Sequence, residues 1–301
     1  MKNSFLILLL IAISLMSCAQ HKDSEKYRFD EDKLLERIKT LSSDKYEGRR
    51  TGESGNDSAR AYIIKEFKEI GVSGFRDDFE QPFTFKLSNE IIEGVNILAE
   101  IKGKDVPQKY IVVSAHYDHL GSRNNEIYNG ADDNASGVSA MLSFAEYLMK
   151  NPPKYSVLFA AFDAEEIGLQ GAKHFVNTIN KEKVLLNINM DMIGRSPKNE
   201  LYVVGGRYHK PLEKIIAGFE NPTSTKLLVG HDGTDGKVNW TMSSDHAPFH
   251  QNEIPFLYFG NEDHEAYHKP NDDFEDITPQ FYKNAVEIIL SILLEIGEKG
   301  V

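Results

Sequence analysis

Four stretches of this chain carry side chains able to bind a metal ion and activate water. Residues 110–115 run into His116-Tyr117-Asp118-His119, residues 156–162 into Asp163-Ala164-Glu165-Glu166, and residues 185–190 into Asp191. The fourth is the loop Asn129-Gly130-Ala131-Asp132-Asp133-Asn134-Ala135-Ser136-Gly137. Its adjacent carboxylates repel unless a cation or strong donors stand between them. Taken alone, that loop reads as a helix cap, with Asp133 or Asn134 as the capping residue. Taken with the others, His116, Asp132, Glu166 and Asp191 form a nitrogen-and-carboxylate set suited to zinc, with no thiolate competing. A further histidine is available in Asp263-His264-Glu265-Ala266-Tyr267-His268.

The elements that must position these groups follow from the periodicity. Extended runs at 83–87, 95–101, 110–115, 156–162, 185–190, 201–204 and 254–259 alternate with helical patterns at 30–42, 58–70, 136–150, 170–178, 210–219 and 279–298. This alternation predicts an α/β fold in three layers, a mixed and mostly parallel central sheet flanked by helices. The runs 111–113 and 157–162 are continuously apolar, which marks strands buried on both faces. In open sheets of this kind ligands bind beyond the carboxyl ends of the strands, where His116, Glu166 and Asp191 fall.

With these motifs in order, the chain resembles the M28 family of co-catalytic di-zinc peptidases over roughly residues 30–300, including the Glu47-Gly48-Arg49 loop. The family pattern is His-x-Asp, then Gly-Ala-Asp-Asp-Asn-Ala-Ser-Gly, then Glu-Glu, Asp and His. The resemblance implies two Zn²⁺ ions, one held by His116, Asp132 and Asp191 and the other by Asp132, Glu166 and His268. Asp132 would bridge, next to Asp133, with the Asp132–Asp133 peptide bond cis. Glu165 and Glu166 are adjacent and point in different directions. Glu166 is the ligand by resemblance, leaving Glu165 as general base for the attacking water. Asp118 would accept the second N–H of His116 and fix its tautomer. Tyr267 is either an oxyanion donor or a packed aromatic. The expected reaction is removal of the N-terminal residue from a peptide with a free N-terminus.

Three other readings stand beside it: a glutaminyl-cyclase-like acyltransferase, a single-zinc enzyme built on His264-Glu265-x-x-His268, and a non-catalytic binding domain. The His-Glu-x-x-His motif requires a helix. Gly260 and Asn261 before it and Lys269-Pro270 after it argue for a loop that uses His268 and not His264. Asp245 is expected to cap a helix, and His119, His174, His209, His231 and His250 to be surface or satisfied core residues.

The formal charge of −12 argues against nucleic acid as a partner. Lys2, the apolar run 5–16 and Leu15-Met16-Ser17-Cys18 resemble a bacterial lipoprotein leader, and Cys18 is the only cysteine. Residues 1–17 are expected to be the signal peptide, 18–28 the lipidated cysteine and tether, and 29–301 the peptidase domain. The membrane would then be met only through the lipid, on the exported side of the bacterial envelope.

Overall fold

The computed structural model describes residues 27–300. The expected signal peptide, Cys18 and nearly all of the tether lie outside the described residues. In chain order the elements are α1 (Glu31–Leu41), α2 (Ser54–Ile70), β1 (Ser73–Gly74), β2 (Glu80–Leu87), β3 (Glu90–Ile101), β4 (Val106–His116), β5 (Gly121–Arg123), β6 (Glu126–Tyr128), α3 (Ser136–Lys150), β7 (Tyr155–Phe162), α4 (Gln170–Thr178), β8 (Val184–Met190), β9 (Glu200–Val204), α5 (Lys210–Ala217), β10 (Lys226–Val229), α6 (His246–Gln251), β11 (Phe256–Gly260) and α7 (Pro279–Lys299). The main sheet runs β1-β3-β7-β4-β8-β11-β9-β10, with β2 also paired to β3.

Its centre, β7-β4-β8-β11, is parallel, and antiparallel pairings flank it at β3 and β9. Four carboxyl ends therefore open on one edge. Side chains alternate across the sheet, so Val157, Phe159 and Ala161 of β7 join α1, α2, α3 and α7 in one apolar layer. Leu158, Ala160 and Phe162 face the other way, onto Phe175 and Val176 of α4 and Phe249 of α6. This double burial is why the strand has no polar face.

Two local differences from the sequence reading have clear causes. Helix α2 begins at Ser54 rather than 58, because Gly55 packs its backbone against Tyr46 where a Cβ would collide, and glycine and asparagine score poorly as helix formers. Strand β10 offers only the three-residue apolar run Leu227-Leu228-Val229, and the β5–β6 ribbon, Gly121–Arg123 and Glu126–Tyr128, is shorter still. Strand β10 pairs only with β9, and its residues are partly or fully exposed.

Candidate metal centre

Each strand end delivers one part of the site. His116 closes β4, Asp191 follows β8, and a turn just beyond β7 carries Glu165 and Glu166. That turn is held by Asp118, whose carboxylate accepts the backbone N–H of Glu165 at 3.1 Å and of Glu166 at 3.3 Å. The expected side-chain contact from Asp118 to His116 is correspondingly loose, at 3.7 Å. It is the Asp118 carbonyl, 3.1 Å from His116 Nδ1, that fixes the imidazole and leaves Nε2 facing the pocket. Asp118 thus orients both glutamates through its side chain and the histidine through its carbonyl.

The carboxylate that faces the pocket histidines is that of Asp133, where the sequence reading expected Asp132. Asp133 Oδ1 lies 3.2 Å from His116 Nε2, and its Oδ2 lies 3.2 Å from His268 Nε2. Asp132 is turned away. Its Oδ1 accepts the Gly194 N–H at 2.6 Å, and its Oδ2 accepts the Asn261 amide and faces His264 Nε2, each at 3.0 Å. These three partners hold the Asp132 side chain outward. The cis peptide bond correspondingly joins Asp133 and Asn134. Asn134 takes the capping role, accepting the Gly137 N–H at 3.0 Å.

His264 and His268 lie outside any helix, on an irregular segment after β11. They part company there, one on Asp132 and the other between Asp133 and Glu166, with His268 Nε2 3.3 Å from Glu166 Oε2. On the other side, His116 Nε2 is 3.3 Å from Asp191 Oδ1. A tetrahedral ion with bonds of ~2.0–2.2 Å sets its ligand atoms ~3.3–3.6 Å apart. The pairs at His116–Asp191 and His268–Glu166 fit that edge, and the pairs to Asp133 are within a tenth of an ångström of it.

The electrostatics ask for cations. Burial works against charge on His116, yet the Asp191 and Glu165 carboxylates hold its pKa well above the ordinary value. His268, likewise desolvated, is raised to about 10 by Asp133 and Glu166. Burial and Asp133 press Glu166 upward, but the imidazoles of His119 and His268 hold it at about 2. Glu165 is pushed well above the carboxylate range by burial, His116 opposing and Asp191 adding to the rise. Divalent ions would supply positive charge to this cluster of buried carboxylates.

Asp245 does not act as a helix cap through its side chain. It is wholly buried, makes no hydrogen bond through either carboxylate oxygen, and is pushed well above its usual pKa by burial, with His116 opposing and Asp118 and Asp191 adding to the rise. Tyr267 stacks on His268 with ring centroids 3.9 Å apart. His119 is neither surface nor satisfied core, since it is buried against Glu166 with both ring nitrogens lacking hydrogen bonds.

Two residues from distant parts of the chain hold the Asp133 loop. Asp272 accepts the N–H groups of Asp132 and Asp133 at 3.0–3.1 Å, and burial together with Asp132 raises its pKa to about 6. Arg49, from the Glu47-Gly48-Arg49 loop, is 1% exposed and donates to the carbonyls of Leu41, Tyr117, Asn129 and Gly130 at 2.6–2.9 Å. Burial lowers it to about 10 despite Asp133 and Asp272, so it stays charged at neutral pH. Nothing local in the sequence links residue 49 to residue 130. Arg49→Leu would leave the buried carbonyls of Leu41, Tyr117 and Asn129 without a donor, at ~1–3 kcal/mol each when unrelieved, while Gly130 keeps the Ala135 N–H. Urea denaturation is expected to show a loss of at least ~3 kcal/mol; a change below ~1 kcal/mol would remove Arg49 from this role.

The model of peptidase family M28 matches residues 96–293. Aminopeptidase YwaD of Bacillus subtilis is 31% identical over 230 residues, covering 72% of this chain and 46% of that protein. The chain therefore spans under half the length of this curated relative. Among solved structures, the aminopeptidase from Aneurinibacillus sp. strain AM-1 superposes with a TM-score of 0.73 at 18% identity, covering 88% of this chain and 93% of that one. The glutaminyl cyclase of Porphyromonas gingivalis gives 0.71 at 17% identity, covering 89% and 99%. At such identities the two structures establish a shared fold.

Proposed function

The chain belongs to peptidase family M28, and on that premise we propose that it is a two-zinc aminopeptidase in which Asp133 would serve both ions. The observation that carries this is the carboxylate of Asp133, whose two oxygens each face a different histidine. His116, Asp133 and Asp191 would hold one ion, and Asp133, Glu166 and His268 the other. When bound, the ions supply Lewis acidity toward the scissile carbonyl and the positive charge that lets this crowd of carboxylates ionise together.

The remaining steps belong to the chain's own groups. The Glu165 carboxylate takes a proton from the attacking water and returns it to the nitrogen of the leaving amine. Burial and then Asp133 keep the Tyr267 phenol protonated, so that it can donate to the oxyanion from its place against His268. The acidic edge formed by Glu165 and Asp191 suits a cationic α-amine, which selects the substrate's first residue.

The test is a panel of aminoacyl anilides, their N-acetylated counterparts and a peptide beginning with glutamine, run with chelator and with zinc restored. Zinc-dependent hydrolysis confined to free-amine substrates is expected. Equal rates on the N-acetylated set would end the aminopeptidase reading, and ammonia release from the glutamine peptide without hydrolysis would assign the chain to the cyclase chemistry.

We also propose export and acylation at Cys18, supported by the Leu15-Met16-Ser17-Cys18 sequence. In detergent phase partitioning the native protein is expected in the detergent phase and Cys18→Ser in the aqueous phase. Identical partitioning would remove the anchor from the account.

A further inference from the structure

His119 has no place in the ligand sets above, yet it sits at the second of them. It lies three residues after His116 and is 1% exposed. Its Nδ1 is 2.6 Å from Glu166 Oε1 and 3.8 Å from Asp133 Oδ2. Despite that proximity the contact lacks hydrogen-bond geometry: neither ring nitrogen of His119 has a partner, and Glu166 Oε1 has none. A buried imidazole and a buried carboxylate left in that state are costly unless a third group binds both, and an ion doing so would widen this 2.6 Å separation toward the ~3.3–3.6 Å edge of a tetrahedral site. The His268 ring closes the same space, with its centroid 6.0 Å from that of His119. The loop is also built to admit the ring. Gly130 has φ 56°, and a Cβ there would strike the His119 ring and the Asp133 carbonyl.

We propose that His119 Nδ1 is a ligand of the second cation, which is then held by His119, Asp133, Glu166 and His268. This rests on the two-cation reading above and adds to it. The first position keeps three protein ligands and the second has four. Three-ligand sites leave a coordination position open for chemistry, whereas four protein ligands close a tetrahedral site. The arrangement therefore assigns substrate binding to the His116–Asp191 side and tighter retention of the ion to the His119–His268 side.

The full chain loaded with cobalt(II) tests this by proton magnetic resonance in water. Each cobalt-bound imidazole contributes one strongly shifted, solvent-exchangeable N–H signal. Three such signals with two cobalt ions per chain are expected, one disappearing in His119→Gln and a different one in His268→Gln. Two cobalt ions with two signals would overturn the assignment of His119 and leave the two-cation centre standing. One cobalt per chain would overturn both. Chelator competition gives a second readout: His119→Gln should weaken one of the two zinc affinities by at least ~10-fold and leave the other unchanged. Unchanged affinities at both positions would contradict the proposal.

Discussion

Asp133→Asn is expected to strip both zinc ions and abolish measurable hydrolysis, whereas the same change at Asp132 leaves both ions in place. Asp133 offers one carboxylate oxygen to the His116 side and the other to the His268 side, each at 3.2 Å. An amide keeps the shape but loses the charge and one acceptor, so both positions fail together. Asp132 acts one layer out, through the Gly194 N–H, the Asn261 amide and His264. Removing such a partner costs ~10–100-fold in activity or metal affinity. Zinc content by mass spectrometry, measured with turnover, separates the two. Full zinc in Asp133→Asn would show that the ions do not share it.

The second large effect is expected at Glu165. Glu165→Gln should lower kcat by ~10²–10⁴-fold with zinc content nearly unchanged, because general base catalysis contributes on that scale. The Asp118 clamp on the backbone of Glu165 and Glu166 does not depend on the side chain at 165, so the turn and the Glu166 ligand survive the change. A variant that turns over at the native rate would show that another group accepts the proton. A variant that loses zinc would show that Glu165 is itself a ligand.

Much of the framework was legible because the physics behind it is local. The continuous apolar runs 111–113 and 157–162 could only be strands covered on both faces, and β4 and β7 are such strands at the centre of the sheet. Placing chemistry at strand ends then brought His116, Glu166 and Asp191 to one edge, and the loop reading of residues 264–268 separated His268 from His264.

The rest turned on facts that are not local. Choosing between Asp132 and Asp133 required knowing that Gly194, Asn261 and His264, all more than sixty residues away, would claim the first of the pair. In the sequence His119 is grouped with the surface or satisfied core histidines, and only its orphaned nitrogens beside Glu166 set it apart. Arg49 and Asp272 hold the Asp133 loop from opposite ends of the chain, a contact that one sequence cannot announce.

The most direct test of the bridged centre is anomalous scattering at the zinc edge from crystals grown with zinc. Two peaks are expected in the pocket, one between His116 and Asp191 and one between Glu166 and His268, with a different oxygen of Asp133 nearest each. A single peak, or a pair with Asp132 between them, would contradict the account.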